Sequence, residues 1–136
     1  MKRAKVFPGA VEFIRRAVGE GHQVWILSHR SRLPAMGPRY DLWGAAMSWL
    51  EKAGFLRPGG PLRHRDIFLA PTREIKIRTM MRLGCTDFID DLPEVLGHPL
   101  FPRSVRAHLF DPLHQHGAGA WLRASRWQTL RERILR

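Results

Sequence analysis

The sequence is poor in cysteine, in acidic residues and in long apolar runs. Cys85 is its single cysteine, so the chain can form neither an internal disulfide nor a thiolate metal cluster. No apolar run approaches the roughly 18 residues that a membrane-spanning helix needs. The N-terminal segment turns polar too early for a signal peptide. These absences predict a cytoplasmic protein that does not enter a membrane.

Basic residues outnumber acidic ones by 23 to 12, which gives a formal net charge of +11. Such a surface attracts anionic ligands, including phosphate esters. The basic residues are scattered along the chain instead of forming a run, which argues against a dedicated nucleic-acid-binding domain but leaves it as an alternative. At 136 residues the chain is long enough to bury a core, and we expect one domain over residues 1–136.

Helical and strand patterns alternate along the chain. Helices are predicted over residues 8–21, 40–54, 71–84, 92–97 and 125–136, and strands over 23–27, 66–70, 86–89 and 105–110. In the first helix, Val11, Ile14 and Val18 are the predicted apolar face. The alternation predicts an α/β domain of Rossmann-like architecture, with helices on both faces of a mainly parallel sheet.

Polar side chains stand where the predicted strands end. Ser28 follows the first strand, Asp90 and Asp91 follow the third, and Asp111 follows the fourth. Ligands of such sheets bind beyond the carboxyl ends of the strands, so we expect the hydroxyl and the acids to meet there. Two carboxylates ~4 Å apart repel each other by roughly 4 kcal/mol at an effective dielectric near 20. The pair therefore needs a cation, a shared proton or divergent side chains, and helix capping by Asp is an alternative interpretation.

The order strand–Ser, helix–Lys, strand–Asp-Asp resembles the haloacid dehalogenase-like (HAD) hydrolase superfamily. The similar stretches are "FPGAVEFIRRAVGEGHQVWILSHR", "TREIKIRTMMRLGCTDFIDDLPEVL" and "VRAHLFDP", which together extend over roughly residues 7–112. The resemblance implies a HAD-like α/β fold. No insertion after Ala70 has the length of a cap domain, so we expect none.

The resemblance also implies a role for four residues. Ser28 would hydrogen-bond a phosphoryl group, and Lys76 would neutralise its charge. Asp91, with Asp90 as a neighbour or water-mediated contact, would hold Mg²⁺, a cation that prefers oxygen ligands. The implied ligand is a small phosphorylated substrate or free phosphate.

Other side chains near these positions have open interpretations. His29 and Arg30 directly follow the serine and are candidates to contact the phosphate or sugar of a substrate, with a merely solvated loop as the alternative. The helix lysine is alternatively an exposed, solvated side chain, with Arg73 or Arg78 as the cation that is turned inward.

The chain departs from the family at the nucleophile. The family's D-x-D motif lies on the first, central strand, whereas this chain has no Asp before Asp41, so that strand and its nucleophile are expected to be missing. We expect a chain truncated at its N-terminus, with Mg²⁺-dependent phosphomonoester hydrolysis if an upstream nucleophile segment exists and little or no activity as given. The alternatives are an inactive phosphate-binding or regulatory module, and a gap filled by residues 3–7 or by a strand of a second copy in a homodimer.

Overall fold

A computed structural model describes residues 7–29 and 42–136 of the chain. The chain divides into two compact units, Met1–Thr72 and Arg73–Arg136, which are called unit 1 and unit 2 below. The expectation of a single domain over residues 1–136 stays a prediction. No helix within the described ranges is long and apolar enough to cross a lipid bilayer.

Unit 1 combines helices with a pair of parallel strands. Its elements are α1 (Ala10–Gly19), β1 (Ile26–His29), α2 (Leu42–Lys52), a 3₁₀ turn (His64–Asp66) and β2 (Ile67–Ala70). β1 and β2 pair in parallel, with Ile26 opposite Ile67 and Ser28 opposite Leu69. Parallel pairing requires a crossover connection between the two strands. This connection contains α2, which corresponds to the helix predicted over residues 40–54.

The buried face of α1 differs from the predicted one. The structure buries Ala10, Phe13, Ile14 and Ala17, which follow the i, i+3, i+4, i+7 spacing of a helical stripe. Val18, predicted to be part of this face, is 38% exposed. The stripe centres on the large Phe13 and Ile14 side chains, and Val18 lies beyond its edge, so this part of the prediction is wrong.

Unit 2 is built around three parallel strands. Its elements are α3 (Arg73–Arg82), β3 (Asp87–Asp90), α4 (Pro93–Leu96), β4 (Arg106–Phe110), β5 (Leu122–Ala124) and α5 (Trp127–Ile134). The strand order is β3-β4-β5. Asp87 lies opposite Arg106 and Asp90 opposite Leu109, so the strands end at one common edge.

Helices cover both faces of this sheet. Lys76 of α3 contacts the Asp90 side chain on one face. Successive strand residues point to opposite faces, so Phe110 lies on the other face from Leu109, the residue paired with Asp90. The ring of Phe110 packs 5.2 Å from that of Trp127 in α5. Unit 2 therefore has the helix–sheet–helix layering that the sequence predicts, with Leu109 and Leu130 fully buried inside it.

The structure confirms the predicted fold class but contains a strand that the sequence does not predict. The α/β class with parallel strands is confirmed, and the predicted strands correspond to β1, β2, β3 and β4. β5 was not predicted, and the described residues form a two-stranded and a three-stranded sheet in place of one predicted sheet. Of residues 3–7, suggested as a substitute for the missing strand, residues 3–6 lie outside the described residues.

Candidate functional site

The two adjacent acids, Asp90 and Asp91, lie at the carboxyl end of β3. Asp90 is the last residue of β3, and its Oδ2 atom lies 2.6 Å from the Nζ atom of Lys76 on α3. Both side chains are buried, with 8% of Lys76 and 3% of Asp90 exposed. The same Nζ atom lies 5.8 Å from the centre of the Phe88 ring. A buried charge needs a partner of opposite sign, and these two residues supply one another with it.

The structure distinguishes between the cations of α3. Arg73 and Arg78 are exposed, and Lys76 is the one turned inward. The alternatives of a solvated lysine and of an inward arginine are therefore wrong. Helical spacing explains the difference: Lys76 lies beside Ile77 and four residues before Met80, both of which are fully buried.

The second oxygen of Asp90 is also engaged. Its Oδ1 atom accepts a hydrogen bond of 2.9 Å from the backbone N–H of Leu92. Leu92 is the N-cap residue of α4, and no side chain caps this helix. The alternative that the acids cap α4 is thus not what the structure shows. Asp90 instead holds the turn that leads from β3 into α4, with one oxygen on the lysine and one on the backbone.

Asp91 has a different environment. The residue is exposed, but its carboxyl loses part of its hydration beside the end of the strand. This desolvation, the negative charge of Asp90 and a hydrogen bond with Asp90 raise the pKa of Asp91, while the charge of Lys76 acts in the opposite direction. Of the two neighbouring acids, Asp91 is the one whose carboxylate faces solvent and would gain most from a cation.

The acids at the end of β3 offer few ligands for a magnesium ion. Mg²⁺ keeps several of its waters and is commonly held by one or two carboxylates together with phosphate oxygens. In residues 7–29 and 42–136, no group of three or more His, Cys, Asp or Glu side chains is placed to enclose a metal. Of the two acids, only Asp91 offers a solvent-facing carboxylate to such an ion, and the described residues do not fit a site made of protein ligands alone.

Asp111 stands at the same edge of the sheet, one residue beyond the end of β4. Its side chain accepts backbone hydrogen bonds from Gln115 (2.9 Å to Oδ1) and His116 (3.0 Å to Oδ2). The hydrogen bond from Gln115, joined by that from His116 and by the nearby imidazoles of His114 and His116, lowers the pKa of Asp111. The sequence places Asp111 at a strand end and assigns it no role, although an Asp before Pro is typical of the start of a loop.

Three predicted residues belong to unit 1. Ser28 is the third residue of β1 and is half-buried, and His29 is the last residue of this strand. The His29 side chain and the whole of Arg30 lie outside the described residues. The structure brings Lys76, Asp90 and Asp91 together within unit 2, and a shared site of these residues with Ser28 stays a prediction.

Comparisons of the chain with protein-family models, with curated proteins and with solved structures gave no match.

Proposed function

We propose that this chain is a phosphatase-lineage domain of HAD type, in which Asp91 at the end of β3 holds Mg²⁺ next to a phosphate group. The observation that supports this most is the buried Lys76–Asp90 ion pair at the carboxyl end of a parallel strand, with the exposed carboxylate of Asp91 directly beside it. Ligand sites of parallel α/β sheets lie at this edge.

Each residue has a separate task in this proposal. Asp90 positions the ammonium group of Lys76, because both its oxygens are already used within the protein. Asp91 offers its carboxylate to the cation. When bound, Mg²⁺ would neutralise and orient phosphate oxygens. A hydrogen bond from the Ser28 hydroxyl to a phosphoryl group stays a prediction from the sequence.

The proposal separates binding from turnover. An aspartyl-phosphate mechanism needs a nucleophilic carboxylate, and residues 1–40 contain no Asp. Asp90 does not offer a free nucleophile, because its side chain is 3% exposed and its oxygens contact Lys76 and the backbone N–H of Leu92. For the chain as given we therefore propose binding of phosphate with Mg²⁺ and little or no hydrolysis of phosphomonoesters.

Calorimetric titration with inorganic phosphate in the presence of Mg²⁺ tests this function. We expect saturable binding that Asp91→Asn weakens by roughly tenfold, the usual effect of losing one contact to a charged group. Glu132→Gln, an exposed acid on α5, is the matched control and should bind as the unmodified chain does. Absence of saturable phosphate binding would refute the proposed function, and rapid turnover of p-nitrophenyl phosphate would refute its binding-only part.

A homodimer that completes a sheet is a second candidate, favoured by the strand pairing. Within residues 7–29 and 42–136, β3 pairs only with β4, so its other edge has no strand partner. An unpaired edge is a template for a strand from another chain. Analytical ultracentrifugation over a wide concentration range tests this candidate, and a monomer at every concentration would exclude it.

A further inference from the structure

A second polar cluster lies at the amino ends of β3 and β4, away from the acid pair. Asp87 Oδ1 accepts a hydrogen bond of 2.8 Å from Arg106 Nε and lies 2.9 Å from His108 Nε2. The Thr86 hydroxyl donates to the other oxygen, at 2.9 Å. Asp87, Arg106 and His108 share one face, because Asp87 lies opposite Arg106 and side chains two residues apart on a strand point the same way.

His108 is fully buried and only half of its ring is satisfied. Its exposure is 0%, and its Nδ1 atom has no hydrogen-bond partner among the described residues. Nε2 faces a carboxylate oxygen and therefore carries the proton of the neutral ring, which leaves a lone pair on Nδ1. The buried nitrogen is thus the atom at which the ring would take up a second proton.

The same cluster ties α5 to the sheet. Arg106 donates from Nη2 to the backbone oxygen of Arg133 on α5, at 3.4 Å. Arg133 donates from its own Nη2 to the backbone oxygen of Arg123 on β5, at 3.0 Å. The Nη1 atom of Arg133 is buried and, like His108 Nδ1, has no partner among the described residues. The C-terminal part of α5 is therefore held by guanidinium groups that surround a titratable ring.

We propose that His108 is an acid-triggered switch of unit 2, in which a proton taken up at Nδ1 loosens α5 from the sheet. The charged groups that face the ring are Asp87 on β3, Arg106 on β4 and Arg133 on α5. The Oδ1 atom of Asp87, which contacts His108, already accepts a hydrogen bond from Arg106. Protonation would thus add a fully buried positive charge beside two guanidinium groups and a single carboxylate, and moving Arg133 away with α5 would relieve the repulsion.

The direction of the pH effect follows from the charges. Burial lowers the pKa of His108, and the positive charges of Arg106 and Arg133 lower it further. The contact with Asp87 acts in the opposite direction but is outweighed. A histidine whose folded pKa lies below its unfolded value, near 6.5, stabilises the fold above that pH and loses this contribution as the pH falls. The fraction of open α5 should rise by about tenfold for each pKa unit between the folded and unfolded values.

Hydrogen exchange of the full chain between pH 7.5 and 5, corrected for the intrinsic rate, tests this switch. We expect the amides of α5 to lose protection on acidification while those of α1 in unit 1 keep it. His108→Gln should make the protection of α5 independent of pH, and His22→Gln, an exposed histidine, should leave the loss unchanged. Loss of α5 protection to the same extent in His108→Gln would overturn the proposal.

A second measurement needs no variant and covers the case in which His108→Gln does not fold. The ring proton signals of the histidines, followed by NMR on the unmodified chain, report the pKa of each ring. We expect one buried ring to titrate below 6.5, over the same pH range in which α5 becomes exchangeable. A His108 ring that titrates at or above 6.5, or an α5 transition at a different pH, would contradict the switch.

Discussion

Lys76 and Asp90 form a buried ion pair that connects helix α3 to the carboxyl end of β3, with 2.6 Å between Nζ and Oδ2. Since the remaining oxygen of Asp90 accepts the N–H of Leu92, the carboxylate joins three separate parts of unit 2. The neighbouring acid, Asp91, makes no comparable link to α3 or α4 in the described contacts and is exposed. Two adjacent acids therefore have different tasks, one structural and one available to a ligand.

The ion pair predicts a strong effect on stability. Asp90→Asn leaves the Lys76 ammonium buried without its anion, which typically costs about 3–5 kcal/mol of unfolding free energy. Asp91→Asn is the matched control: it removes a carboxylate whose pKa is raised, so it should not destabilise and is expected to stabilise slightly. Urea denaturation at pH 7 measures both. Equal losses of unfolding free energy in the two variants would contradict the assignment.

Asp111 predicts a local effect in the loop after β4. Asp111→Ala removes the acceptor of the Gln115 and His116 amides, so these two amides should exchange with solvent at least tenfold faster. Asp111→Asn keeps one carbonyl oxygen and should have an intermediate effect. Amide exchange measured by NMR, with the amides of β3 as an internal reference, decides this. Unchanged exchange in Asp111→Ala would show that the carboxylate does not hold the loop.

In the loop between α2 and the 3₁₀ turn, two adjacent glycines should differ sharply in how much an alanine substitution destabilises the fold. A Cβ atom on Gly60 would lie 2.4 Å from the backbone carbon of Phe55 and 2.5 Å from the backbone nitrogen of Leu56, whereas a Cβ on Gly59 would meet nothing within 4 Å. Backbone atoms cannot yield cheaply, so Gly60→Ala should cost roughly 2 kcal/mol or more. Gly59→Ala should change stability by no more than about 0.5 kcal/mol. Thermal unfolding compares the two variants.

Asp87 predicts a loss of stability in acid that is separate from that of His108. Burial acts to raise the pKa of Asp87, but hydrogen bonds from His108 and Thr86 and the charge of Arg106 together lower it. A lowered carboxyl pKa stabilises the fold above the unfolded value, near 3.9, and this contribution is lost as the pH falls through the folded value. Between pH 5 and pH 3, Asp87→Asn should therefore lose less unfolding free energy than the unmodified chain. A parallel decline in both proteins would contradict this.

The sequence predicts the helices well because characteristic residues stand at their ends. Glycines mark the helix ends, and Gly21 and Gly84 have positive φ angles of 93° and 72°, as left-handed caps require. β5 has only three residues, Leu122–Ala124, which is too short for an alternating pattern to be recognised. The sequence mispredicts the buried face of α1. Three apolar residues at helical spacing do not specify which side of a helix the tertiary structure covers.

The candidate site was predicted in part. The acids could be found because a buried strand that ends in two Asp residues is visible in the sequence. That Lys76 is the inward cation depends on packing between α3 and β3, which spacing alone does not show among several cations. The pair of Asp87 and His108 was not predicted at all: the residues are 21 positions apart, and the apolar run around His108 conceals a polar contact.

Manganese-induced broadening of NMR signals tests directly whether Asp91 holds a divalent cation at the end of β3. Mn²⁺ substitutes for Mg²⁺ at oxygen sites and broadens the signals of nearby nuclei. We expect selective broadening around residues 90–92 that excess Mg²⁺ reverses. Asp91→Asn should abolish it, and Glu132→Gln, an exposed acid on α5, should preserve it. Absence of broadening at the end of β3, or broadening that persists in Asp91→Asn, would contradict the claim.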